Sequence, residues 1–220
     1  RGQMTQQGGT SLEGLAGGDI DAEVTAIDGF GGVRNVTLTE PGNDFRRLSV
    51  VGAQVAVRDE NVLTLQNSRA AISLDVTTTG DLTLRDVAVA DAGLAPGDFD
   101  VAVNGGSVDG DGVFARAMTV TGSTGATLTN FDLVSFDGQG LTATNGAFGT
   151  PAGPVTIAGD LSLDGIALGA DYTATIAGSV TIRNTRFAGN ATLTANGGDI
   201  DIRRTLFDEA AATVSLDANA

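Results

Sequence analysis

Apolar residues two positions apart recur along this chain at a near-constant interval of roughly 20 residues, with glycine just ahead of each pair. The segments Gly178-Ser-Val-Thr-Ile-Arg-Asn-Thr-Arg-Phe187 and Gly198-Asp-Ile-Asp-Ile-Arg-Arg-Thr-Leu-Phe207 align position for position, without a gap. Gly159-Asp-Leu-Ser-Leu-Asp-Gly-Ile-Ala-Leu168 enters the same frame one interval earlier. That frame puts Leu161, Val180 and Ile200 in one column, Leu163, Ile182 and Ile202 in a second, and Leu168, Phe187 and Phe207 in a third. A period of two, repeated at a longer fixed interval, predicts one short strand per turn of a stack, with the apolar columns facing inward. The expected fold is all-β: a right-handed parallel β-helix, or β-solenoid, formed as one domain over residues 1–220. It should have about eleven rungs of roughly 20 residues.

The same spacing reaches earlier in the chain, where Leu63 falls under Leu82 and Leu65 under Leu84. Residues 71–76 form a second strand within that rung, so a rung holds at least two strands joined by polar corners. Further strands are expected at 33–39, 48–51, 54–58, 113–121 and 126–136, with breaks at Pro41-Gly-Asn-Asp44 and Gly52-Ala53. Gly17-Gly-Asp-Ile-Asp21 recurs as Gly197-Gly-Asp-Ile-Asp201. Two passages, 86–111 and 137–154, are rich in Gly, Asp and Pro and break the rhythm. Rungs can bulge into loops there, and loops on a rigid scaffold are where function is expected. Glycine interrupts every apolar pattern of helical period, so no helix is predicted.

Composition fits this reading. The chain has 32 Gly, 41% apolar residues and only 5% aromatics, which suits a narrow core built by stacking small and β-branched side chains. It has no Cys, His or Trp, and all 12 bases are Arg against 27 acids, for a net charge of −15. Such a surface repels phosphate backbones and anionic lipid, which argues against nucleic acid and membrane surfaces as partners. Cations or a neutral saccharide are compatible with it. No apolar run approaches the roughly 18 residues of a membrane-spanning helix, and the first residues have no secretory apolar core. Either export information has been removed or the chain is an interior piece of something longer.

Asn43-Asp-Phe45, then Leu48-Ser-Val50 with Gly52, then Asp59-Glu-Asn-Val-Leu-Thr-Leu65 make up most of a segment running from Arg34 to Leu65. This segment resembles the repeats of bacterial filamentous-haemagglutinin-type exoproteins. The resemblance implies a β-helical part of a long adhesin of two-partner or autotransporter type, secreted or held at the bacterial surface. It also implies that the partners are neighbouring β-helical rungs of the same long chain or other copies, and a saccharide or host-surface receptor.

Several residues carry candidate chemistry. Asp98 and Asp100, Asp109 and Asp111, and Asp199 and Asp201 lie two apart, so within a strand each pair shares a face. Asp98, Asp100, Asp109 and Asp111 could hold Ca²⁺ or supply the acid and base of a glycosidase. Against calcium, Gly105-Gly-Ser-Val-Asp-Gly-Asp-Gly-Val113 has Val108 where the Ca²⁺-binding nonapeptide needs Gly, and Gly110 where it needs Asp. Solvated turn carboxylates are the preferred reading, with no cofactor. The Thr-x-Thr pairs at 37/39, 119/121, 127/129, 142/144, 173/175 and 192/194 could form a flat hydroxyl array. Of these only 173/175 and 192/194 are expected to stack in consecutive rungs, with Ala212-Thr-Val214 breaking the array in the next. Arg183 and Arg203 stack in the repeat frame above Asp164, which is expected to contact Arg183. Without His, Cys or Lys, the usual bases that activate Ser or Thr are missing, so no catalytic residue is assigned. The expected function is a non-enzymatic structural or adhesive stalk. A polysaccharide hydrolase or lyase using the Asp pairs, and a repeating unit of an extracellular filament, are the alternatives.

Overall fold

The structure, a computed structural model, is described for residues 4–5, 20–27, 32–89, 97–151, 153–169, 171–208 and 213–218. Strands stack in parallel into a β-solenoid, with no helix among the described residues. One inward column can be followed through the whole stack: Ala22, Leu48, Leu65, Leu84, Gly110, Leu128, Ala143, Leu163, Ile182 and Ile202 pair in register, one above the next. Among the described residues these ten levels are joined by nine turns, slightly fewer than the eleven rungs expected. The nine steps cover Ala22 to Ile202 at a mean of 20 residues each, the expected repeat, so the difference lies in the chain before Ala22 and after Ile202, which a division of the whole length counts as further rungs. Individual turns nevertheless differ: the step from Leu84 to Gly110 takes 26 residues and the step from Leu128 to Ala143 takes 15. At about 4.8 Å per rung the nine turns rise about 43 Å.

Three strand columns wrap the core. The first runs through Ala126–Thr129, Leu141–Thr144, Leu161–Asp164, Val180–Arg183 and Ile200–Arg203. The second runs through Ala147–Phe148, Ala167–Leu168, Arg186–Phe187 and Leu206–Phe207. The third runs through Val155–Ile157, Tyr172–Ile176, Ala191–Ala195 and Val214–Ala218. Earlier turns use longer strands that bend around corners, and their pairing shifts register at the bends. Phe45–Arg58 passes through Gly52 and Ala53 with a register shift, where a break was expected, and Leu63–Thr78 merges two expected strands into one. Residues alternate buried and outward along the strands, and the buried set forms a single core with Phe45, Phe99, Phe136, Phe148 and Phe187 as its largest members.

The three columns expected from the repeat are paired as Leu161–Val180–Ile200, Leu163–Ile182–Ile202 and Leu168–Phe187–Phe207. Phe187 and Phe207 stack with ring centroids 5.4 Å apart. Their environments differ, however: Phe187 is 1% exposed and Phe207 is 48% exposed, because no described strand pairs with the outer edge of Leu206–Phe207.

The corner between the first and second columns has a conformation of its own. Asn67, Asp86, Gly112, Asn130, Asn145, Gly165, Asn184 and Arg204 follow the paired outward residues of successive turns, and all have φ between 47° and 74°. Left-handed backbone is strained for residues with a β-carbon and least so for Asn, Asp and Gly, which occupy seven of these eight positions.

Candidate functional site

The residues just before each first-column strand also stack. Their carbonyls accept from the strand below: Leu63 N to Asp81 O, Leu82 N to Ser107 O, Val108 N to Gly125 O, Ala126 N to Gly140 O, Leu141 N to Asp160 O and Leu161 N to Ser179 O. Most turns therefore present Asp or Ser at this position, and two consecutive turns present glycine. The missing side chains of Gly125 and Gly140 open a groove of about 580 Å³ in the wall. Ser107 and Asp109 edge it on one side and Asp160 on the other, with Thr127, Thr142, Thr124 and Gln139 along its flanks. Gly159 completes the close packing behind it, since a β-carbon there would press on the Gln139 carbonyl. The two irregular passages meet at this groove, 107–109 from the first and 139–140 from the second.

The groove's carboxylates are held in place. Asp109 Oδ2 lies 2.7 Å from Arg85 Nη2, and Asp160 Oδ1 accepts the Ser179 N–H at 2.8 Å. Asp81 makes the same contact with the Ser107 backbone N–H at 2.7 Å and with the Ser107 hydroxyl, and these bonds hold its carboxyl below the usual carboxylate range. Asp109 pairs with Thr127 and Thr127 with Thr142, so Asp109 and Asp160 stand three rungs apart, about 14 Å along the stack. A glycosidase pair needs roughly 5–10 Å.

The other candidates are dispersed. Asp98 and Asp100 lie on Asp98–Val103, paired with Ser73 and Asp75 of one turn and Ala117 and Thr119 of the next. Asp109 and Asp111 lie on a different column, between Thr83 and Arg85 below and Thr127 and Thr129 above. The four expected together are thus split over two faces. Asp98 is bound by Arg116 through two contacts of 2.9 and 2.5 Å, and Asp111 accepts from Asn130 Nδ2 at 2.8 Å. Asp100 stacks on Asp75, whose pKa is raised by packing around its carboxyl and by the charge of Asp100. Among the described residues, no three acidic side chains gather in a metal-binding arrangement.

Further expectations are corrected. Asp164 is in register with Arg183 but accepts its hydrogen bond from Asn184 Nδ2 at 2.7 Å, because the left-handed corner turns that amide back across the rung. Thr127 and Thr129 do stack on Thr142 and Thr144, because the short turn between them brings them into register. The partners of Thr192 and Thr194 are Ser215 and Asp217, not residues 212–214, because the step from Ala191 to Val214 is longer than the turns before it.

The segment carrying the resemblance forms a buried polar clasp. Asp59, fully buried, accepts from the N–H groups of Phe45 at 2.6 Å and Asn61 at 3.0 Å. Asn43, also buried, donates to the carbonyls of Leu38 at 3.2 Å and Arg58 at 3.3 Å, and Asn61 Nδ2 donates to Asp44 at 3.1 Å. These residues lock two successive corners together, and buried polar groups need such partners.

The chain is a β-solenoid protein by its fold. No protein-family description, curated protein or solved structure matches it.

Proposed function

We propose that the chain is a length of structural and adhesive stalk from a large bacterial exoprotein, secreted or held at the cell surface, with no catalytic activity. One observation carries this reading: five arginines on the outer face each bridge one turn to another along the stack. Asp21 binds Arg46 and Arg47, Arg85 binds Asp109, Arg116 binds Asp98 and Arg186 binds Asp208, at 2.5 to 3.0 Å. Pairs of this kind stiffen a rod and leave those carboxylates committed to arginine. Each contributes only about 0–1 kcal/mol at the surface, so their role is to hold the geometry of the face more than to stabilise the fold.

Incubation with a range of plant and bacterial polysaccharides, followed for reducing ends and for the ultraviolet absorbance of unsaturated products, tests the reading. No turnover is expected. Measured turnover that disappears in Asp109→Asn or Asp98→Asn would overturn it.

A further inference from the structure

We propose that the groove over Gly125 and Gly140 binds a neutral oligosaccharide, running along the stack between Asp109 and Asp160. The proposal rests on the adhesive reading and gives it a ligand class. The strands offer no free edge to a partner here. Ala126–Thr129 and Leu141–Thr144 are paired with strands on both sides, so an added peptide strand finds no free edge. Strand addition is thereby excluded, and recognition is assigned to the lining side chains.

Those side chains suit a polyol. Asp109 and Asp160 are acceptors already oriented by Arg85 and the Ser179 N–H, so little ordering is lost when hydroxyl groups donate to them. Thr127, Thr142 and Gln139 are exposed, and their side chains make no hydrogen bond to the protein among the described residues. They offer both donors and acceptors. Asp109, Thr127 and Thr142 repeat at one rung spacing, about 4.8 Å, which matches a ligand built of repeated hydroxyl-bearing units. Charge selects against acidic sugars. The groove has two carboxylates, its neighbouring guanidinium is tied to Asp109, and the chain as a whole carries −15.

The test uses the whole chain and five hexasaccharides: β-1,4-glucan, β-1,3-glucan, α-1,4-glucan, β-1,4-mannan and, as the acidic control, α-1,4-galacturonan. Binding is read by calorimetry and by amide shifts, and chain cleavage by released reducing ends. At least one neutral hexasaccharide should bind saturably, shifting the amides of residues 125–127 and 139–142, with the galacturonan at least about tenfold weaker. Gln139→Ala and Thr142→Arg should each weaken binding by about tenfold or more, the scale of one strong hydrogen bond. Both positions face solvent, and unchanged thermal melting of either variant shows that the fold survives. The proposal is overturned if none of the four neutral chains binds, if the acidic chain binds as well as they do, or if both variants bind like the parent. Cleavage of a bound chain would overturn the stalk reading and leave the groove assignment standing. Absence of both binding and cleavage would overturn the groove assignment alone.

Discussion

Phe187 and Phe207 occupy the same column, one rung apart, yet only one of them is enclosed. Phe187→Ala should cost about 3–5 kcal/mol, the range for emptying a buried aromatic site. Phe207→Ala should cost about 1 kcal/mol, since half of its surface already meets water. Urea midpoints of the two variants check this, and equal losses would contradict the burial difference. Arg186→Asp, by contrast, removes a surface pair with Asp208 and should cost less than about 1 kcal/mol.

At the same scale, Asp75 is the acid whose charge is unwelcome in the fold. Its folded pKa is raised, so the folded state holds the proton more tightly than the unfolded chain does. Its unfavourable contribution is therefore absent below the ordinary carboxylate range and develops as pH rises through the raised value. Asp75→Asn should leave stability unchanged near about pH 3 and raise it by at most about 1 kcal/mol near neutrality, because solvent screens an exposed pair. Denaturation series at the two pH values check the sign. Asp21 is the opposite case: hydrogen bonds from Arg46 and Arg47 lower its pKa to about 2. Its contribution is present above the ordinary carboxylate range and is lost as pH falls toward that value.

The element that repeats most faithfully is the left-handed corner. Arg204 is the one residue in its column that is not Asn, Asp or Gly, at φ 57°. Arg204→Gly should therefore raise stability by roughly 1 kcal/mol, and Asn67→Val should lower it by about 1–2 kcal/mol. Chemical denaturation of both variants tests the pair, and opposite signs are required. This column was visible in the sequence as Asn67, Asp86, Asn130, Asn145 and Asn184, each one residue past an outward strand position. Hydrophobic periodicity does not single it out, because that pattern carries no information about corners and Asn and Asp are ordinary in any turn.

For the whole molecule, each turn contacts mainly its neighbours, so stability is approximately a sum of rungs and their interfaces. Removing residues 160–178 would bring Val180 over Leu141 and Ile182 over Ala143, preserving every column, since Leu161 and Val180 are already equivalent. That deletion should yield a folded protein, shorter by one turn, with an unchanged β-type circular dichroism spectrum and a lower unfolding midpoint. Deleting only 160–169 should leave a mismatched turn and abolish cooperative unfolding. Scattering and thermal melting distinguish the two outcomes.

Much of the fold was legible from the chain alone. Leu161, Val180 and Ile200, with Leu163, Ile182 and Ile202, announce their stacking because a strand's inward positions must be apolar at every second residue, and a solenoid repeats that demand once per turn. The length of each turn was less accessible, because steps as unequal as Leu84 to Gly110 and Leu128 to Ala143 average to the repeat and leave no mark on the hydrophobic rhythm. The candidate site depended on three-dimensional register almost entirely. The acids two apart at 98/100 and 109/111 looked like one cluster, yet intervening corners send them to different faces. Gly125 and Gly140 look like any other glycines until the stack places them one above the other, where neighbouring turns carry Asp or Ser. Local alternation specifies which side of a strand faces the core. Which outward residues become neighbours is fixed only when turns of unequal length close on one another.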